Sequence, residues 1–179
     1  MKFLILLGTV REGRYSKHAA EALKRKIEEK EHQAEIFDPK ETPLPFLQKR
    51  RRMTEESHEH VEELGEKVEE SDCLILTTPE YNRSVPGVLK NALDHLYHEY
   101  DDKPFAYHMI SGGGFGGVRA LTHLHEITLA LGGKPGPDLP TSHIRDKFNE
   151  EGELTEEDYE EDLDKFVEKC VKHVKKTKC

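Results

Sequence analysis

The stretch Ser71-Asp72-Cys73-Leu74-Ile75-Leu76-Thr77-Thr78-Pro79-Glu80-Tyr81-Asn82-Arg83-Ser84-Val85-Pro86 constrains the fold more than any other. Its apolar run, residues 73–76, is what a strand buried on both faces gives. Pro79 stops the ladder. Pro86 then opens a helical segment to about residue 97, because proline suits a first turn whose N–H groups lack partners anyway. A buried strand therefore runs through a tight polar loop into a helix N-terminus. In an open α/β sheet, ligands bind at junctions of that kind.

The same alternation recurs along the chain. Residues 3–7 are apolar at every position and predict a first strand, followed by a polar loop over 8–16. Ala20, Leu23 and Ile27 mark a helix over 17–30, and residues 33–37 predict a second strand ended by Asp38-Pro39. Residues 41–52, with Pro43 and Pro45, read as an irregular excursion. Thr54 is the expected cap of a helix carrying Val61, Leu64 and Val68. Residues 105–111 predict a fourth strand, ending in Gly112-Gly113-Gly114-Phe115-Gly116-Gly117. A helix over 118–131 stops at Gly132-Gly133. Residues 134–143 hold three prolines and are poor strand material, yet alternation places the fifth strand there. Thr155 to Asp158 resembles a capping box, and Leu163, Phe166, Val167, Cys170, Val171 and Val174 form an apolar stripe on a last helix. Strands that alternate with helices imply a parallel sheet covered on both faces. No repeat or low-complexity linker divides residues 1–179, which read as a single domain.

Charge narrows the partners. The chain carries a net charge of -9 and 35% charged residues, which disfavours nucleic acid as a partner. The basic run Lys49-Arg50-Arg51-Arg52 and the acidic stretch 149–164 read as solvated surface; the basic run could alternatively attract an anionic substrate or a neighbouring subunit. Three cysteines give no disulfide framework and point to a reducing, cytoplasmic setting. The apolar start is too short for a signal peptide. No apolar run approaches the ~20 residues that span a bilayer, so no membrane is expected. Among the eleven histidines, His123 and His125, like His58 and His60, are two apart and should point apart; His95 and His98 share a face but are only two ligands. No metal site is expected.

In a parallel sheet, the loops after the first, third and fourth strands open on one edge. The first, 8–16, leads into a helix N-terminus where free N–H groups favour an anion. Thr9 and Ser16 add hydroxyls, and Arg11 and Arg14 add forked cations suited to phosphate; the alternative is a plain turn with Ser16 as helix cap. It is not a nucleoside-triphosphate loop, because Arg14-Tyr15 stands where Lys-Ser/Thr is required. The second loop offers Glu80, the aromatic face of Tyr81, the amide of Asn82, and Ser84. The third begins at Ser111. Gly112, Gly114 and Gly117 match G-x-G-x-x-G, with Asp138 downstream as a ribose-binding acid, but a dinucleotide fingerprint belongs on the first strand. A glycine-rich backbone can instead lie flat against a planar ligand, with Phe115 stacking on it. Phosphate at one loop and flat, polar surfaces at the other two suit a mononucleotide with a large ring.

Gly8-Thr9-x-Arg11-x-Gly13-x-x-Ser16, then Thr78-Pro79-Glu80-Tyr81-Asn82-x-Ser84-x-Pro86-x-x-Leu89-Lys90-Asn91-Ala92-Leu93-Asp94, then Gly112-Gly113-x-x-Gly116-Gly117-x-Arg119-Ala120 resembles the NADPH-dependent FMN reductase family. The likeness spans about residues 2–133. It implies a flavodoxin-like three-layer α/β sandwich, a five-stranded parallel sheet of order 2-1-3-4-5, and FMN at the crevice between the first and third strands. It further implies that Thr9, Arg11 and Ser16 hold the FMN phosphate. Pro79, Glu80, Tyr81, Asn82 and Ser84 would flank the ring and ribityl chain, and Gly112, Gly113, Gly114 and Phe115 would line the pyrimidine side. NADPH or NADH would be the co-substrate, with Arg14 and Arg83 as candidates for its phosphate. A homodimer or homotetramer is implied, with contacts through the helices at 86–97 and 117–131. Lys17 departs from the family, which often has Asn there, and no motif aligns after Gly133.

The implied activity is hydride transfer from NAD(P)H through FMN to a small-molecule acceptor: a quinone, free flavin, azo compound or metal oxyanion. The chemistry resides on the flavin N5 and requires no catalytic side chain. Two rivals stay open: an FMN-binding electron carrier or redox-responsive partner protein without NAD(P)H turnover, and an α/β domain whose loops merely connect.

Overall fold

A computed structural model describes residues 1–178. Five parallel strands, β1 (Lys2–Leu7), β2 (Gln33–Phe37), β3 (Cys73–Pro79), β4 (Phe105–Ile110) and β5 (Asp138–Thr141), form one sheet of order β2-β1-β3-β4-β5. This is the flavodoxin-like order that the resemblance implied. The helices are α1 (Tyr15–Glu29), α2 (Glu59–Glu70), α3 (Gly87–Asp94), α4 (Leu121–Ala130) and α5 (Glu157–Thr177).

The apolar runs have a direct cause. Phe3, Ile5, Leu7, Cys73 and Ile75 pack on one face of the sheet with Ala19, Leu23 and Ile27 of α1 and Leu163, Phe166 and Cys170 of α5. Leu4, Leu6, Leu74 and Leu76 face the other way, onto α2, α3 and α4. Each central strand is therefore buried on both faces, and no polar alternation survives in it. β5 is a sheet edge, which tolerates Pro140 in the ladder. Asp138 pairs with Tyr107 at the inner end of that strand, remote from the glycine loop, so it is no ribose ligand.

Several local expectations change. Thr54 does not cap α2: its hydroxyl accepts from Glu56 N–H at 3.3 Å, and His58 Nδ1 caps the helix by accepting from His60 N–H at 3.2 Å. That cap brings the His58 and His60 rings to 5.0 Å rather than apart. α5 starts after Glu156 without a side-chain cap, because Glu156 pairs with Lys147. The run 49–52 is not simply solvated surface. Arg51 is clamped by Glu62 at 2.7 Å, Glu69 at 2.9 Å and Glu99 at 3.3 Å, and Arg52 also reaches Glu99, at 3.0 Å. This network ties the 41–57 excursion to α2. Among the described residues no helix is long and apolar enough to cross a membrane, and no cluster of three or more His, Cys, Asp or Glu could hold a metal.

Candidate functional site

The chain winds one way from β1 to β2 and the other way from β1 to β3, so a crevice opens at their C-terminal ends. The two strand ends approach closely there: a Cβ on Gly8 would stand 2.3 Å from Thr78 Oγ1. The 8–16 loop then turns through Gly13 at φ 61°. Arg14 folds back. It donates to the Thr9 carbonyl at 2.8 Å and pairs with Asp38 at the end of β2, both side chains being buried. Arg14 is thus a staple of the loop, with its guanidinium spent inside the protein.

Because Arg14 turns back, α1 begins without a side-chain cap. The N–H groups of Tyr15 and Ser16 have no partner among the described residues. Ser16 is no cap either; it is the second residue of the helix, and its buried Oγ is also unpartnered. These donors border a cleft of about 190 Å³ lined by Thr9, Arg11, Ser16, Tyr81, Gly112 and Arg145. Buried polar atoms without partners are rare and call for an external one.

The second loop is a two-residue turn. Tyr81 and Ser84 exchange backbone bonds of 2.9 and 3.0 Å, with Asn82 at φ 51° and Arg83 at φ 66°. This is the geometry that suits a right-twisted hairpin. The Tyr81 hydroxyl meets Thr9 Oγ1 at 2.7 Å and so bridges the first two loops. Glu80 accepts from Arg119 N–H at 3.1 Å, and the Arg119 guanidinium lies 4.1 Å over the Phe115 ring. Glu80 is therefore a joint between the second and third loops. Ser84 bonds His123 Nδ1 at 2.8 Å. Asn82, Arg83 and Ser84 border neither this cleft nor the one beside it.

In the third loop, Ser111 Oγ accepts from Gly113 N–H at 3.0 Å and donates to Gly113 O at 2.8 Å. The N–H groups of His143 and Ile144 close it from behind, onto Gly113 O and Ser111 O, both at 3.1 Å. The N–H groups of Gly112 and Gly114 have no partner among the described residues. A second cleft of about 280 Å³ runs between Pro79, Tyr81, Ile110, Gly112, Phe115 and Arg119. Phe115 is 64% exposed at its mouth. Gly113 and Gly114 do not border it. Two residues further into β4, His108 is fully buried and bonds Tyr159 Oη at 2.9 Å through Nε2; burial lowers its pKa to about 3.

Ile144 and Arg145 also border the first cleft, and sequence reasoning missed them. They sit in a segment without a motif. The available signal was topological, since the loop after β5 opens on the same edge as the other three.

The donor set suits one kind of ligand. An uncapped helix end with a buried free hydroxyl takes a phosphate. A glycine backbone with a free N–H group, that of Gly112, beside an aromatic rim takes a flat ring with acceptors at its edge. An α/β sheet of this order with those features at the β1/β3 crevice is a mononucleotide-binding protein of flavodoxin-like architecture. FMN, with a terminal phosphate and a tricyclic ring, fits both ends.

Comparison with known proteins narrows that class. Residues 1–146 match the family of NADPH-dependent FMN reductases. An NAD(P)H:quinone oxidoreductase of Solanum tuberosum is 34% identical over 166 residues, covering 88% of this chain and 84% of the relative. An FMN-dependent NADPH-azoreductase of Staphylococcus saprophyticus is 31% identical over 181 residues, covering 98% of this chain and 96% of the relative. The solved structure of FerB, a flavoenzyme NAD(P)H:(acceptor) oxidoreductase from Paracoccus denitrificans, superposes with a TM-score of 0.80 at 26% identity and covers 98% of both chains. The chain belongs to the NADPH-dependent FMN reductase family and is an oxidoreductase of that family.

Proposed function

We propose that this protein binds FMN across its three loops and passes reducing equivalents from NAD(P)H to a small planar acceptor, of which quinones and azo compounds are the leading classes. The observation that carries the reading is the buried, unpartnered Ser16 hydroxyl at the uncapped start of α1. When bound, FMN supplies the hydride-accepting N5 and the two-electron capacity. The Ser16 hydroxyl and the Tyr15 and Ser16 N–H groups hold the phosphate, with Thr9 beside them. The Gly112 N–H group holds the pyrimidine edge, and Tyr81 and Phe115 flank the ring. The titratable side chains bordering the ring cleft are Glu80, Tyr81, Arg11 and Arg119.

The aromatic rim formed by Tyr81 and Phe115 favours planar acceptors; free flavin and metal oxyanions are secondary classes. Arg14 is buried against Asp38 and unavailable to the NAD(P)H phosphate. Exposed Val118 and Leu129 near and on α4 support the homodimer or homotetramer expected of the family. The free, buried Cys73 and Cys170 support a reducing, cytoplasmic setting.

The test is an absorbance spectrum after loading with FMN and desalting, followed by anaerobic NADPH and then an acceptor. Retained flavin that bleaches with NADPH and recovers with a quinone or azo dye is expected. Retained flavin that NADPH leaves unchanged would replace the reductase with an electron carrier. Failure to bind FMN in a titration would overturn the site.

A further inference from the structure

We propose that Glu80 and Arg119 are positioning residues: together they hold the Phe115 ring as a fixed wall at the mouth of the ring cleft, where the planar acceptor enters. The inference rests on the FMN reading above and assigns roles within it. Phe115 is the one residue with a side chain between Ser111 and Val118. The backbone around it is fixed from behind, since Cβ atoms on Gly116 and Gly117 would stand 3.0 Å from Pro140 and 3.1 Å from Met109. The ring itself is not packed: it is 64% exposed and belongs to neither apolar core of the sheet. Its orientation comes from Arg119, whose guanidinium lies 4.1 Å over it. Both side chains border the ring cleft.

An exposed arginine has many rotamers and would not keep that pose unaided. Glu80 grips Arg119 twice: Oε2 accepts from the Arg119 N–H at 3.1 Å, and Oε1 lies 3.8 Å from the guanidinium. The Glu80 side chain is only 13% exposed, so the pair is better shielded than one on open surface. Glu80 belongs to the loop after β3, while Phe115 and Arg119 follow β4. The second loop thus reaches across the cleft and aims the aromatic ring of the third. A wall set before the acceptor arrives spares the cost of ordering it on binding. It contacts the acceptor equally in the ground and transition states, so its loss falls on KM and not on kcat.

The test is a double-mutant cycle in steady-state kinetics with NADPH and menadione, at saturating FMN so that flavin loss cannot mimic the effect. Glu80→Ala raises the KM for menadione about threefold and leaves kcat within about twofold. Phe115→Ala raises KM at least as much. The double variant is no worse than Phe115→Ala alone, because Glu80 acts only through the ring. Glu80→Gln keeps an oxygen for the Arg119 N–H, loses the charge on the guanidinium, and falls between wild type and Glu80→Ala; should Glu80→Ala not fold, the cycle is run with Glu80→Gln. Effects of Glu80 and Phe115 that multiply in the double variant overturn the proposal, because Glu80 would then act by another route. So does an unchanged KM in the Glu80 variants, or a fall in kcat alone; in each case the retained flavin leaves the FMN site standing. Wild type that binds no FMN overturns the FMN reading, and the proposal with it.

Discussion

Ser16→Ala separates two roles that a buried hydroxyl can play, because they carry opposite signs. In the FMN-free protein, Ser16 Oγ is buried with no partner among the described residues. Leaving such a group unsatisfied costs about 1–3 kcal/mol, with the lower end applying here because the cleft admits water. Alanine removes that cost and is also the better helix former at the second position of α1. FMN-free Ser16→Ala should therefore gain about 1 kcal/mol, or about 2–4 °C in Tm for a chain of this size. The FMN-bound protein should lose. A hydrogen bond to a charged phosphate contributes about 1.5–3 kcal/mol, so the Kd for FMN should rise by about tenfold or more. At FMN a hundredfold above the wild-type Kd, ligand stabilises wild type by about 2.7 kcal/mol, but a variant with tenfold weaker binding by only about 1.4 kcal/mol. Thermal melts with and without FMN, together with flavin fluorescence titrations, read both signs. A variant that is less stable without FMN and binds it with unchanged affinity would refute the reasoning, because the hydroxyl would then have an internal partner and no phosphate.

His108 predicts an acid limb. It titrates at its ordinary value of 6.5 when unfolded and, through burial, at about 3 when folded. Its contribution to stability is complete above pH 6.5 and is lost as pH falls toward 3, amounting to about 2 kcal/mol at pH 5. Urea midpoints at pH 7 and 5 should fall together less in His108→Gln, which retains a partner for Tyr159; an equal fall in both proteins would remove His108 as the cause. Gly8→Ala should cost about 2 kcal/mol or more in a urea melt, because its Cβ would lie 2.3 Å from Thr78 Oγ1 and 3.2 Å from Thr78 Cα; an unchanged midpoint would show that the strand ends part easily. Arg83→Gly should raise Tm by relieving a left-handed arginine at φ 66°, a gain of about 1 kcal/mol. A lower Tm would show that the arginine makes contacts that outweigh the strain.

Much of this architecture could be read from the chain because its causes are local. β1 and β3 are buried on both faces and leave unbroken apolar runs, and Pro79 and Pro86 mark where β3 ends and α3 begins. β5 was hard to read because an edge strand four residues long can carry Pro140. The loops were legible as a ligand edge, but the aim of each side chain was not. Arg14 sits in the phosphate loop by sequence and is taken by Asp38, 24 residues away. Glu80 and Ser84, in the most specific motif, are drawn to Arg119 and His123 on the far side of the third loop. Arg145 borders the cleft because its neighbours His143 and Ile144 bond back to Gly113 and Ser111. Partners distant in sequence decide these roles, and neither periodicity nor a short motif encodes them.

The most direct test of the central claim is a crystal structure of the FMN complex. The phosphate should lie within hydrogen-bond distance of Ser16 Oγ and the Tyr15 and Ser16 N–H groups, with the ring between Tyr81, the Gly112 backbone and Phe115. A flavin bound elsewhere, or in this crevice with its phosphate away from the start of α1, would contradict the account.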